Sequence, residues 1–199
     1  ITYGDWSSDV CSSDLYFNFL SEITLGALSE KEAATLLEGH FTSDDRRRLV
    51  TVSGRHPFLL QVAADLLFET YQDLPENPTR RWLQVRNRLY DETASTIGES
   101  WRPWSPPMKM AFTIAALPQL DLERRHFFNH ALYHDARDFG PEWRELEKRG
   151  FVCPNPGTPS GWSVLPEAAC WWLADEIVRA VRDEKQWENW LSEQEWTGL

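Results

Sequence analysis

The stretch RPWSPP, residues 102–107, sets the first limit on how this chain can fold. Pro103, Pro106 and Pro107 fall within five positions. None can lie inside a continuous helix, because each lacks an amide donor and its ring collides with the preceding turn. On both sides the apolar residues recur at helical spacing. The chain therefore reads as two helical runs meeting near residue 104, with the prolines stiffening a linker. The predicted units are 16–104 and 105–199.

The first run begins with a short strand at Ile23–Leu25, broken by Gly26. Ser29 and Glu32 then form a capping box, in which hydroxyl and carboxylate satisfy each other's free amides. Ala33, Leu36 and Leu37 follow as one apolar face. TSDDRRRLVTVSG predicts a second helix capped by Thr42 or Ser43, with Asp44 and Asp45 at the positive end of its dipole. It stops at Ser53-Gly54. In HPFLLQVAADLLFETYQ, Pro57 is tolerated in the first turn, and Leu59, Leu60, Ala63, Leu66 and Leu67 mark a central helix. TRRWLQVRNRLYDETASTIGESW is a long amphipathic helix with Trp82, Val85, Leu89 and Ile97 inward.

The second run reads helix, helix, helix, hairpin, helix. PPMKMAFTIAAL, DLERRHFFNHALYHD and GPEWRELEKRG are the three helices, the last ending at Gly150. FVCPNPGTPSGWSVL gives two short strands around a Pro/Gly turn. A terminal helix follows with Trp171, Trp172, Ile177, Val178 and Val181. Three helices and a hairpin are the layout of a winged-helix domain. The expected fold class is mainly α: a small helical bundle, then a winged-helix domain with one β-hairpin.

Residues 1–15 stand apart. DWSSDVCSSDL has no helical or strand period, and it resembles the translation of a sequencing-library adapter. On that reading the natural segment starts near Tyr16, in mid-gene. Without Asp5, Asp9 and Asp14 the acidic count falls from 31 to 28 and the net charge from −11 to −8. Either value is a poor match to sequence-independent nucleic-acid binding, which needs clustered Lys and Arg. Cys11, Cys153 and Cys170 show no paired spacing, so neither zinc nor a disulfide framework is indicated, in keeping with a reducing cytoplasm. No apolar run approaches the roughly 20 residues that span a bilayer.

SGRHPFLLQ is the strongest candidate site. Gly54 permits a left-handed turn, Pro57 starts a helix, and the free amides of that start lie beside Arg55 and His56, suited to a phosphate or nucleotide edge. The plain alternative is a glycine cap followed by a proline-started helix. His126, His130 and His134 share a helix face at i, i+4, i+8, but so extended a triple rarely converges on one metal ion, and a solvated face is expected. Arg46–Arg48 could form an anion patch or supply a phosphate-sensing arginine, but they follow Asp44 and Asp45, and a charge-balanced helix face is expected. GPEWRELEKRG carries three Glu against two Arg and one Lys, which favours packing over duplex reading. Trp172, Trp187 and Trp190 read as helix-packing surface.

ITLGALSEKEAATLL, a further helix and then SGRHPFLLQVAADLLFE resemble the C-terminal part of the ATPase module of STAND-type P-loop NTPases, relatives of AAA+ proteins. In that family a small helical lid with a Gly-x-Pro motif near the nucleotide leads into a winged-helix domain. The motif maps onto Gly54, His56 and Pro57 as GRHP; many relatives have two glycines before His-Pro, and Arg55 replaces the second. The resemblance covers residues 16–199, most specifically 23–70, and the tail WENWLSEQEWTGL resembles the family's segment before a C-terminal effector or sensor.

The resemblance implies ATP or ADP as cofactor, with Mg supplied by a core domain outside this sequence, and Gly54, Arg55, His56 and Pro57 as nucleotide-binding residues. It implies two partners, the N-terminal nucleotide-binding domain of the same polypeptide and a C-terminal effector. The function it implies is transmission of ADP/ATP state in cytoplasmic signalling. No Gly-x-x-x-x-Gly-Lys-Ser/Thr loop occurs, so the segment is not expected to hydrolyse ATP alone. The other readings are a winged-helix DNA-binding regulator and a helical protein-interaction adaptor.

Overall fold

The computed structural model describes residues 26–73, 77–120, 139–180 and 184–193. The adapter-like stretch, the strand expected at Ile23–Leu25 and the helix with His126, His130 and His134 lie outside the described residues.

Helix α1 (Glu30–Leu37) opens on the capping box: Ser29 Oγ accepts from the Glu32 amide at 3.2 Å, and Glu32 Oε2 accepts from the Ser29 amide at 2.8 Å. Ala33 and Leu37 are buried, but Leu36, expected beside them, is 62% exposed. A helix of two turns meets its neighbour along a narrow stripe, and Leu36 falls off its edge. Helix α2 (Ser43–Ser53) is capped by Thr42, whose hydroxyl accepts from the Asp45 amide at 3.2 Å. Helix α3 (Pro57–Asp73) starts on Pro57 and buries Leu59, Leu60, Ala63, Leu66 and Leu67. It is central to this half, with α2 and α4 (Pro78–Trp101) packed against it. On α4, Trp82, Val85, Leu89 and Ile97 all face inward.

Helix α5 (Pro106–Ala116) starts on the proline pair and is almost wholly buried. After a 3-10 turn at Leu117–Gln119, the described chain resumes with α6 (Gly140–Lys148). Gly150, at φ +76°, reverses the chain into the hairpin of β1 (Val152–Pro154) and β2 (Trp162–Val164). These strands are antiparallel, with Val152 opposite Val164. Helix α7 (Glu167–Ala180) buries Trp172, Leu173 and Ile177, and α8 (Glu184–Glu193) follows. Val178, expected inward, is exposed, since it follows Ile177 by one residue and so points about 100° away. The described residues are mainly α with one two-stranded sheet.

The proline-rich joint is a packed turn. Trp104 is buried within it and meets Phe112 and Phe151 edge-on, with centroids 5.4 and 4.9 Å apart. Trp101, at the end of α4, lies 5.4 Å from Trp172 of α7. Such aromatic pairs contribute about 0.5–1.5 kcal/mol each beyond their burial. Helix α7 runs along α4 and also meets α2, and the Tyr90 hydroxyl on α4 donates to Asp175 on α7. The two helical runs thus close around one continuous core. No helix among the described residues is long and apolar enough to cross a membrane.

Candidate functional site

Gly54, Arg55, His56 and Pro57 form the turn between α2 and α3. Gly54 caps α2 in the left-handed region at φ +58°. Its close neighbour is the chain itself: a Cβ here would sit 2.7 Å from the Leu165 carbonyl oxygen and nearer still to the Leu165 carbonyl carbon and the Pro166 nitrogen. The lack of a side chain lets the turn touch the joint between β2 and α7.

Arg55 is also left-handed, at φ +63°, a conformation costing roughly 1–2 kcal/mol for an L-residue. Two hydrogen bonds hold it there. Its amide donates to Ser53 Oγ at 3.2 Å, and its carbonyl accepts from the Leu28 amide at 2.9 Å. Arginine thus keeps the conformation a glycine would adopt freely at this position.

The turn's amides are occupied internally. The Gly54 amide donates to Thr51 O at 3.4 Å and that of His56 to Ser53 O at 3.0 Å, and Pro57 has none. The amides of the turn itself are therefore not free to receive a phosphate. Only the Phe58 and Leu59 amides, in the first turn of α3, lack an intrahelical acceptor. The His56 ring tilts against Phe151, centroids 5.9 Å apart. Its Nδ1 is buried without a hydrogen-bond partner, and burial lowers its pKa, so the ring is neutral at pH 7.

Open surface flanks the turn on two sides. On one, α1 and α2 enclose a cleft of about 420 Å³ lined by Arg46, Arg47 and Arg55, with Ser43 and a single carboxylate, Glu30. On the other, Pro57 borders an apolar groove of about 350 Å³ with Leu28, Leu36 and Leu60.

The arginines of α2 were expected to be balanced by Asp44 and Asp45. The structure places Asp45 elsewhere. It is 4% exposed and accepts from Trp82 Nε1 at 2.6 Å, from the Tyr71 hydroxyl and from Thr42 Oγ1 at 2.8 Å. Burial alone would raise its pKa, but these donors and the nearby Arg81 guanidinium outweigh burial and hold it below the usual carboxylate value. Asp44 alone remains outside, pairing with Arg47 at 3.3 Å. Arg46, Arg48, Arg55 and Arg86 form no ion pair among the described residues. The signal was present in the sequence: Asp45 lies at i, i+4, i+7 with Leu49 and Val52, on the buried stripe of α2.

Among the described residues no group of three or more His, Cys, Asp or Glu side chains could hold a metal ion. Cys153 and Cys170 are free thiols whose pKa values burial raises, that of Cys170 to about 12. Helix α6 buries Trp143 and Leu146 and pairs Arg149 with Glu145 at 2.7 Å. No protein-family model, curated protein or solved structure matches this chain.

Proposed function

We propose that this segment is the lid and winged-helix section of a nucleotide-dependent signalling switch of the STAND type, non-catalytic by itself. The observation that carries the reading is the arginine-lined cleft beside Arg55. Arg46, Arg47 and Arg55 border one small volume with Glu30. Arg47 is already paired with Asp44, and the two without an ion pair among the described residues, Arg46 and Arg55, suit the phosphate edge of ATP or ADP held by an N-terminal nucleotide-binding domain. The donors are thus side chains, with Gly54 serving the joint behind them. His56 is neutral and partly open, able to meet a base or ribose, and Pro57 offers an apolar rim to the same domain.

This arrangement also suggests how the nucleotide state would reach the second half. Gly54 rests on Leu165 and Pro166, so a ligand that displaces the turn presses directly on the start of α7. A ligand shifts such an equilibrium only through contacts that differ between the two states, and the guanidiniums of the cleft would supply that difference for a terminal phosphate.

The test is fluorescent-ADP binding by the full-length parent polypeptide, comparing wild type with Pro57→Trp, His56→Phe and Arg55→Ala. The reading expects each variant to lose affinity while thermal stability is retained. Unchanged affinity in all three refutes it.

A further inference from the structure

A second arginine-bearing surface lies on the neighbouring flank of α2, sharing Arg47 with the first and built from α2, α4 and α7. The Arg48 guanidinium lies over the Trp82 ring, 5.5 Å from its centroid, and that of Arg86 lies over the Trp171 ring at 4.8 Å. Trp82 is itself fixed, because its indole N–H is bound to the buried Asp45. Between the two stacked pairs is a cleft of about 240 Å³, with Arg47 on its rim, Val52 on its apolar wall and Glu167 as its one carboxylate. A second depression of about 430 Å³ continues from it past Arg86 and Trp171 to Tyr90 and Asp91.

A guanidinium held over an indole by cation–π attraction can keep N–H donors for an oxyanion. Neither Arg48 nor Arg86 has a carboxylate partner among the described residues, although the chain carries more acidic than basic residues. Donors already held in place lose little side-chain freedom on binding. The occupant would therefore bring oxyanions, and the half-buried Trp171 indole between the arginines calls for apolar groups among them. A polyphosphate backbone would meet the repulsion of the acidic chain over many charges. A short segment with a few carboxylates would meet less of it.

We propose that the α2–α4–α7 face is a docking site for an acidic protein segment, whose carboxylates are received by Arg48 and Arg86 and whose apolar side chains enter the cleft between Trp82 and Trp171. Because the cleft draws on both helical runs, an occupant would brace α7 against α2 and α4. The proposal does not depend on the nucleotide reading.

The test is fluorescence anisotropy of a labelled peptide of alternating Glu and Leu blocks, titrated with the full chain. The expected result is saturable binding that weakens as salt is raised, falls about tenfold or more (about 1.4 kcal/mol) in the Arg48→Gln/Arg86→Gln double variant, and persists in Arg102→Gln. Both double-variant positions are exposed at the surface, and circular dichroism checks that the fold is kept. Three results would overturn the proposal: no saturable binding, equal affinity in the double variant, or tighter arginine-dependent binding of a single-stranded oligonucleotide. A fourth is arginine-dependent self-association of the chain, seen by sedimentation without any peptide.

Discussion

Replacing Gly54 by alanine separates what the turn does for the fold from what it could do for a ligand. Two costs apply. The left-handed φ disfavours any L-residue by roughly 1–2 kcal/mol. The added Cβ would also overlap the backbone at Leu165 and Pro166, and overpacking of this kind costs about 1–3 kcal/mol. Gly39 is the internal control, with a similar φ of +77° and nothing within 4 Å of its would-be Cβ. Both variants share the φ penalty and the lost flexibility of the unfolded chain, so their difference isolates the contact. Gly54→Ala should therefore be less stable than Gly39→Ala by ~1–3 kcal/mol. For a chain of this size that is a melting temperature lower by about 2–12 °C. Differential scanning calorimetry in nucleotide-free buffer reads the difference. Equal melting temperatures would refute the argument that Gly54 is needed where the turn meets the second half.

Two further outcomes follow from buried titratable groups. Asp45→Ala should cost ~1–3 kcal/mol at pH 7, since it removes the acceptor of the buried Trp82 N–H and of the Tyr71 and Thr42 hydroxyls. Because the folded pKa of Asp45 lies below its unfolded value, its contribution is present above about pH 4 and is lost as pH falls through the folded value. The variant should show a shallower acid limb in urea titrations across pH. At the alkaline end, burial raises both the Cys170 thiol and the Tyr90 hydroxyl to about 12, Tyr90 with the help of its hydrogen bond to Asp175. Their contribution is complete below the unfolded values and is lost as pH rises towards 12. Cys170 should accordingly resist a thiol-specific reagent at pH 8 until denaturant is added, and rapid labelling in the native state would contradict this.

Much of the helical scaffold was legible because its signals are local. The Ser29/Glu32 box, Thr42 as a cap, Pro57 at a helix start and Gly150 before the hairpin each act within one turn of chain. The inward residues of α3 and α4 could be read from period alone, since both helices are long enough to define a stripe. What escaped the reading depends on contacts distant in sequence. The prolines at 103–107 do end a helix, yet Trp104 is drawn into the core by Phe112 and Phe151, which no local rule shows. Gly54 is legible as a left-handed turn, but the backbone packed against it lies more than a hundred residues away at Leu165. Asp45 reads as surface charge because its neighbours are charged, although its spacing to Leu49 and Val52 places it inside. That one assignment concealed the unbalanced arginines.

The aromatic turn at residues 101–104 has a practical consequence for anyone wishing to study the halves apart. Phe and Trp side chains each bury roughly 150–250 Å², and Trp101, Trp104, Phe112, Phe151 and Trp172 meet at this place. Severing the polypeptide there and parting the halves would uncover the faces that Trp101 and Trp104 turn towards Phe112, Phe151 and Trp172, on the order of several hundred Å² of ring surface, as much as the largest apolar patch of a typical monomer. The prolines look like an invitation to cut, but pieces made at that spot should stick to one another and precipitate.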